Sequence, residues 1–304
     1  MSAISAELLA VVVAMVGGEP AVLVASDDAR LPAGPLLPGQ SSLQSATRAW
    51  VEAQTGLKLG FLEQLYTFQN LTSSCPEVSC GEVEHGDRTL SVSYLGLTTP
   101  ASGSGVWLPC YEFFPWEDLR KSRELVLDVV APVLDAWVEQ DALQRRVRRS
   151  RADVTFGLNG KPWLADWVLQ RYELLYEVGA VPESPAEGRL PQTVPGRRML
   201  GDHRRVLATG LARLRAKIQY RPVVFELLPE TFTLRQLQAC VEALSGMAVH
   251  TQNFRRLVEG EELVEETGES TSTGGRPARL FRFRREVMVE RQAAGTKLPA
   301  PRSR

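Results

Sequence analysis

A short stretch between positions 250 and 260 carries the side chains best suited to chemistry. Its polar residues can donate hydrogen bonds to base edges and phosphates. They are Thr251, Gln252, Asn253, Arg255 and Arg256. Leu257 and Val258 follow Phe254 by three and four residues, which is the spacing of one helical face. The stretch therefore predicts a helix over residues 250–259 that would enter a DNA groove and contact bases.

A second predicted helix precedes this stretch and would hold it in place. Its apolar residues are spaced by three, four and three positions, so they share one face. They are Leu234, Leu237, Val241 and Leu244. Thr233 is a suitable N-cap, and Gly246 can take the left-handed conformation that ends many helices.

Two strand-like segments, residues 262–267 and 279–284, follow the second helix. Residues 268–277 between them are rich in Gly, Ser and Thr and include Arg276. This order of two helices and a hairpin predicts a winged helix-turn-helix. Two alternatives stay open, a small helix–hairpin domain that serves only for dimerisation and a winged helix that binds protein partners.

The distribution of charge favours nucleic acid. Residues 203–304 contain 18 Lys plus Arg and 11 Asp plus Glu, a net charge of +7. The other 202 residues contain 17 and 25, a net charge of −8. A basic segment joined to an acidic one suits nucleic-acid binding by the first and another task by the second.

Composition restricts the class of protein further. At 304 residues and 44% hydrophobic content, the chain can form two or three globular domains. No apolar run has the roughly 18–20 residues that a membrane helix needs. The apolar run over residues 6–16 contains Glu7 and lacks a basic start, so it is a poor signal peptide. We therefore expect a cytoplasmic protein.

The cysteines and histidines do not predict a reactive site. Four cysteines in 304 residues are too few for a disulfide framework. Cys75, Cys80 and His85 could be imagined as metal ligands, but ordinary loop thiols are favoured because no second pair follows. The three histidines are scattered, so neither a histidine-based metal site nor a Ser/His/Asp triad is predicted.

The first 115 residues alternate between strands and one helix. The predicted strands cover residues 8–16, 21–25, 57–68, 88–97 and 106–114, with the first two joined as a hairpin. The segment over 88–97 alternates as a half-buried strand does. A helix is predicted over residues 41–55, ended by Gly56.

The middle of the chain has a different character. Residues 116–151 are predicted to be mostly helical with a kink or break at Pro132, and residues 163–178 form a second predicted helix. The buried side of the first helix is assigned to Leu119, Leu125, Val129, Val133 and Trp137. The basic cluster at 144–151 is a solvated helix end or, as a less favoured alternative, a phosphate contact. Residues 183–198 are a predicted linker, residues 202–220 an amphipathic helix, and the tail after 293 is expected to be disordered.

Four segments of the N-terminal part resemble the Nudix fold. They are LPAGPLLPGQ from Leu31, ATRAWVEAQTGL from Ala46, LEQLYTF from Leu62 and RTLSVSYLGL from Arg88. Nudix hydrolases carry a loop-helix signature, G-x5-E-x7-R-E-U-x-E-E-x-G-U, whose glutamates hold divalent metals. Counted back from Gly56, the glutamate positions are occupied by Trp50, Ala53 and Gln54. We therefore expect a Nudix-like pocket without hydrolysis, no catalytic or metal residues and no cofactor. The alternative is an active Nudix hydrolase fused to a DNA-binding domain.

Residues 202–285 resemble the C-terminal half of the Nudix-related transcriptional regulators of NAD metabolism. The carrying motifs are DHRRVLATGLARLRAKIQYRPVVFELLPETF, TLRQLQACVEALSG, NFRRLVEG, EETGE and GGRPARLFRF. The long middle segment favours the NadQ-type alphaproteobacterial branch. The resemblance implies a homodimer that binds a palindromic operator and represses NAD genes. It also implies control by a nucleotide effector, which would be ADP-ribose, NAD or ATP.

The resemblance also implies site residues. Expected DNA contacts are Thr233, Gln236, Thr251, Gln252, Asn253, Arg255, Arg256 and Arg276. Tyr66, Phe68 and Arg88 are expected to bind the effector by adenine stacking and diphosphate pairing, although Tyr66 and Phe68 could equally be core residues.

The expected fold class is α+β. A Nudix-like α/β/α sandwich over 1–118 is followed by a helical extension and linker over 119–198. A connecting helix and winged helix-turn-helix over 199–291 and a tail over 292–304 complete the predicted chain.

Overall fold

The structure is a computed structural model. It describes residues 4–26, 28–37, 39–40, 42–70, 88–100, 105–186, 190, 192–218, 223–272 and 277–284. Residues 71–87, which contain Cys75, Cys80 and His85, and the predicted tail after residue 293 lie outside these ranges.

A mixed sheet forms the centre of the N-terminal part. Its strand order is β4-β5-β1-β2-β6, with the short β3 also pairing with β1. The strands are β1 Ile4–Val16, β2 Glu19–Val24, β3 Ala33–Pro35, β4 Phe61–Asn70, β5 Arg88–Leu97 and β6 Val106–Pro109. β1 pairs with β2 as the predicted hairpin and runs parallel to β5.

Both faces of the sheet are covered, which explains the continuous apolar character of β1. Leu8 packs with residues of helix α1 (Leu43–Thr55) on one face, while Val11 and Val13 belong to the large core on the other. β5 was predicted to be half-buried, but its residues 91–97 are all buried. The reason is its position between β4 and β1 in a sheet that is covered on both sides.

Helix α6 (His203–Ile218) covers the second face of the sheet. At Gly210 an added Cβ would lie 2.7 Å from Cγ1 of Val11, so the helix and β1 approach closely. α6 was predicted to be amphipathic, but its own buried residues lie around most of the helix. They include Arg204, Arg215 and Lys217. Ion pairs allow this burial. Lys217 pairs with Glu63 on β4, and Arg215 pairs with Glu117.

The strand predicted over residues 106–114 is shorter than expected. β6 ends at Pro109, and a single turn of helix, α2 (Cys110–Phe113), follows. Proline removes the backbone N–H that a further strand pairing would need. The change of direction buries Cys110, Phe113 and Phe114 in the core.

The middle segment is helical, with shorter pieces than predicted. A π-helix, Leu125–Val130, runs directly into α3 (Ala131–Glu139), with Pro132 in the first turn of α3. α4 spans Arg145–Phe156 and α5 spans Val168–Glu177. Val133 and Trp137 are buried as expected, but Leu119 is only half-buried. The π-turn buries Val126 and Val130 instead of Leu125 and Val129.

The second middle helix was predicted to begin at Trp163, but α5 begins at Val168. Pro162 precedes Trp163, whose ring is buried beneath the guanidinium of Arg171 at 3.8 Å. Residues 161–167 therefore lie outside the helix, with a turn at residues 165–166. The predicted linker also packs against the fold, since Val194 is buried and its N–H donates to the Ala180 carbonyl at 2.9 Å.

The basic cluster at residues 144–151 makes local ion pairs. Arg145 contacts Glu139 at 2.6 Å, and Arg151 contacts Glu177 at 2.5 Å. Arg149 pairs with Asp135 in the same way. These pairs favour a solvated helix end over a phosphate contact.

The C-terminal part has the predicted order of two helices and a hairpin. The helices are α7 Leu234–Ser245 and α8 Thr251–Gly260, and the strands are β7 Val264–Thr271 and β8 Ala278–Phe283. Phe232 exchanges two backbone hydrogen bonds with Phe281, which ties the start of α7 to the hairpin. None of the helices in the described part of the chain is long and apolar enough to cross a membrane.

Candidate nucleic-acid interface

The N-terminal end of α7 is closed by two of the residues predicted to contact DNA. Thr233 Oγ1 accepts a hydrogen bond from the Gln236 N–H at 3.2 Å, and Gln236 Oε1 accepts from the Thr233 N–H at 2.8 Å. This reciprocal capping box satisfies backbone donors that the helix itself leaves free. Thr233 is buried, and its role in this structure is to fix the residue at which α7 begins.

α8 presents its polar residues outward. Phe254 and Val258 are each 1% exposed and pack into the core beneath the helix. The predicted contact residues of this helix are all exposed. They are Thr251, Gln252, Asn253, Arg255 and Arg256. Helical periodicity thus separates one apolar face from one face rich in hydrogen-bond donors, as contact with a DNA groove requires.

Two side chains of α7 that the sequence did not single out hold the start of α8. Glu242 Oε1 accepts from the Val249 N–H at 2.8 Å. Gln238 Nε2 donates to the Val249 carbonyl at 3.1 Å and to Thr251 Oγ1 at 3.2 Å. Their spacing of four residues on one helix is the signal that could have identified them.

The hairpin follows α8 in the chain and carries arginines in cross-strand ion pairs. Arg279 contacts Glu266 at 2.6 Å, and Arg282 pairs with Glu265. Arg279 remains 73% exposed, so it can still reach a phosphate. Arg276, predicted to act from the tip of this hairpin, lies outside the described residues.

Tyr66 and Phe68, two of the predicted effector residues, lie on the sheet face that α6 covers. The rings of Tyr66 and Phe68 are stacked with their centroids 5.1 Å apart. Burial raises the pKa of Tyr66, whose hydroxyl lies near Thr209 on α6. Arg88 begins β5, and its side chain lies outside the described part of the structure.

The positions of the Nudix glutamates are on α1, on the opposite face of the sheet. Trp50 Nε1 donates to the Pro35 carbonyl at 3.0 Å, and an added Cβ at Gly34 would lie 2.3 Å from the Trp50 ring. Gln54 pairs with the backbone of Ala33. These side chains tie α1 to β3. Among the described residues, no group of three or more His, Cys, Asp and Glu could hold a metal ion.

The sheet lies between α1 and α6, which defines a Nudix-like α/β/α sandwich. The helix-turn-helix and its two-stranded hairpin define a winged helix at the C-terminal end. Residues 224–283 match the family model of the NrtR DNA-binding winged helix domain. The predicted α+β fold class is therefore confirmed, and the domain boundaries stay predictions.

Two solved structures share this fold over nearly the whole chain. Shewanella oneidensis NrtR, crystallised with a 27mer DNA, is 18% identical with a TM-score of 0.53 and covers 98% of each chain. A MutT/nudix family protein from Enterococcus faecalis is 13% identical with a TM-score of 0.51, covering 93% of this chain and 88% of that one. At these identities the likeness shows the fold.

One relative is closer in sequence over a shorter segment. The ADPR responsive transcriptional repressor NtrR of Acinetobacter baylyi is 39% identical over 82 residues. The match covers 27% of this chain and 33% of that repressor, so the chain spans about a third of the relative's length.

Proposed function

We propose that this protein is a transcriptional repressor that binds double-stranded DNA through its winged helix. The observation that carries the proposal is the exposed row of donors on α8, in a segment that matches a DNA-binding winged helix model. Side chains of these types recognise base edges and phosphates. α8 supplies base contacts, and the exposed Arg279 of the hairpin adds a phosphate contact.

We also propose that the protein binds as a homodimer to a palindromic operator. A two-fold symmetric dimer places two recognition helices on two half-sites about one helical turn, or a multiple of it, apart. The net charge of +7 over residues 203–304 supports binding that weakens steeply with salt, because each neutralised phosphate releases counterions.

The Nudix-like domain is the proposed sensor of a nucleotide. The Acinetobacter relative is described as responsive to ADPR, which makes ADP-ribose the first effector to test, followed by NAD and ATP. Tyr66, Phe68 and Arg88 remain the proposed contacts. NAD biosynthesis or salvage genes are the proposed targets, the NadQ-type branch is the proposed affiliation, and the cytoplasm is the proposed location.

We propose that the sensor domain does not hydrolyse the nucleotide. Hydrolysis in Nudix enzymes needs carboxylates that hold divalent metals. Trp50 and Gln54 occupy two of those positions. Both side chains form hydrogen bonds with the backbone of β3. An indole has no oxygen ligand to offer, and a neutral amide does not bind Mg²⁺ as a carboxylate does.

Selection of binding sites from random duplex DNA tests the proposal without knowledge of the target genes. The full-length protein would be incubated with the duplex pool, and bound DNA would be amplified over several rounds. We expect enrichment of one palindromic sequence, bound more tightly than an unrelated duplex by about 1,000-fold or more. Failure to enrich any sequence, with equal affinity for unrelated DNA, would contradict the proposal.

A further inference from the structure

The C-terminal end of α7 is closed by residues from outside the winged helix. The hydroxyl of Tyr111 on α2 donates to the Ala243 carbonyl at 2.5 Å. Arg215 Nε on α6 donates to the Leu244 carbonyl at 2.8 Å. The backbone N–H of Leu119 donates to the Gly246 carbonyl at 2.7 Å. Carbonyls that a helix end leaves unpaired are thus satisfied by residues that precede the winged helix in the chain.

A buried charge cluster holds these caps in place. Glu117 is fully buried and receives hydrogen bonds from Arg171 Nε at 2.5 Å and from Arg215 Nη1 at 2.6 Å. Burial alone would raise the pKa of Glu117, but the charges and hydrogen bonds of the two arginines outweigh burial and lower it. The carboxyl is therefore ionised. One negative and two positive charges leave a net charge of +1 inside the protein.

The end of α7 complements this excess charge. The carboxyl end of a helix carries a partial negative charge of about half an elementary charge. Arg215 points its guanidinium at that end while it pairs with Glu117, so the cluster is fully satisfied only when α7 is docked. Burial also raises the pKa of Tyr111 to about 12, so its hydroxyl keeps the proton that it donates to α7.

Gly246 shows how close this contact is. It has a positive φ of 69°, and an added Cβ would lie 2.0 Å from the Glu117 carbonyl oxygen. The same Cβ would lie 3.1 Å from the Tyr111 hydroxyl. A side chain at this position could be accommodated only if α7 moved away from the N-terminal part.

We propose that Tyr111, Glu117 and Arg215 are positioning residues for DNA binding, because they fix the orientation of the winged helix through the end of α7. The inference rests on the proposed function, since it concerns how the two winged helices of a dimer are presented to DNA. A fixed orientation raises the effective concentration of the second winged helix at the second half-site. The three residues contribute to affinity for the palindrome without touching DNA.

Gly246→Ala and Tyr111→Phe test the proposal in the full-length protein. Gly56→Ala is the matched control for the first variant, because Gly56 also ends a helix with a positive φ but has nothing within 4 Å of an added Cβ. Tyr176→Phe is the control for the second, since this half-buried tyrosine lies outside the cluster. Two quantities are measured, the hydrogen exchange of the Leu119 amide and the affinity for a palindrome and for a single half-site.

We expect Gly246→Ala to accelerate exchange at Leu119 and to lower affinity for the palindrome by about 10-fold or more, with half-site affinity within about 2-fold of the unsubstituted protein. Tyr111→Phe should act in the same direction to a smaller extent. The controls should change neither quantity. The proposal is overturned if palindrome and half-site affinities fall equally, or if Gly246→Ala behaves as Gly56→Ala does.

Failure of the proposed function gives a different pattern. The unsubstituted protein would then bind neither DNA, which overturns both proposals together. If the unsubstituted protein binds the palindrome and the variants bind it equally well, only the positioning proposal fails.

Discussion

Gln54 exchanges two hydrogen bonds with the backbone of Ala33. Its Oε1 accepts from the Ala33 N–H at 3.1 Å, and its Nε2 donates to the Ala33 carbonyl at 2.6 Å. An amide can make both bonds, whereas a carboxylate can only accept. A residue standing at a Nudix metal-ligand position is therefore used here to join α1 to β3.

Gln54→Glu should destabilise the protein without creating a hydrolase. The carboxylate would face the Ala33 carbonyl without a proton to donate, which should cost about 1 kcal/mol at this exposed site. Ala53→Glu, at the exposed neighbouring position, is the control and should leave stability unchanged. Denaturant unfolding measures the first effect, and ADP-ribose with Mg²⁺ tests for hydrolysis. Metal-dependent product formation by the unsubstituted protein would contradict our account of the sensor domain.

Arg255→Ala and Arg256→Ala should each weaken operator binding by roughly 1–3 kcal/mol if these residues contact bases or phosphates. Arg256 also donates to Asn253 Oδ1 at 3.3 Å, so its loss should affect how Asn253 is oriented. Arg151→Ala removes a partly exposed arginine of α4 and serves as the control. Fluorescence anisotropy at several salt concentrations measures affinity and salt dependence. Unchanged affinity in both variants would remove α8 from the recognition role.

Glu117→Gln should be among the most destabilising single changes in the chain. It leaves Arg171 and Arg215 buried without a compensating negative charge, which typically costs about 3–5 kcal/mol. Glu177→Gln, which breaks the exposed ion pair with Arg151, should change stability by about 1 kcal/mol or less. Urea unfolding curves give both values. Equal midpoints for the two variants would show that the buried cluster contributes little.

His203 should make the protein less stable at mildly acidic pH. Burial lowers the pKa of His203 to about 4, while its Nδ1 accepts from the Leu31 N–H at 2.9 Å. The unfolded chain takes up this proton near pH 6.5 and the folded chain does not, so stability falls as pH decreases from about 6.5 to 4. The loss should approach about 3 kcal/mol.

His203→Asn tests this pH dependence, because the Asn oxygen can accept the same hydrogen bond and does not titrate. Its free energy of unfolding should vary less between pH 7 and pH 4.5 than that of the unsubstituted protein. His250→Asn, at an exposed position before α8, should keep the original slope. Identical slopes in all three proteins would mean that His203 is protonated in the folded state.

Local signals in the sequence predicted much of the winged helix. Thr233 and Gly246 were predicted as the two ends of α7, and the spacing of Phe254 and Val258 predicted which face of α8 is buried. These features depend on residues a few positions apart. The same holds for α1, whose end at Gly56 was predicted correctly.

Other features depend on distant parts of the chain and were missed. Nothing near Tyr111 or Glu117 indicates that Arg215, about a hundred positions later, completes their cluster. The burial of β5 follows from its neighbours in the sheet, not from its own alternation. The predicted DNA and effector contacts of individual residues stay predictions, since geometry alone does not test them.

The most direct test of the repressor account is a mobility shift of the full-length protein on promoter DNA of NAD biosynthesis genes. ADP-ribose, NAD and ATP would be added separately, with an unrelated duplex as control. We predict a specific shift that one of these nucleotides reverses or strengthens. Absence of any specific shift, on these promoters and on sequences selected from random DNA, would contradict the account.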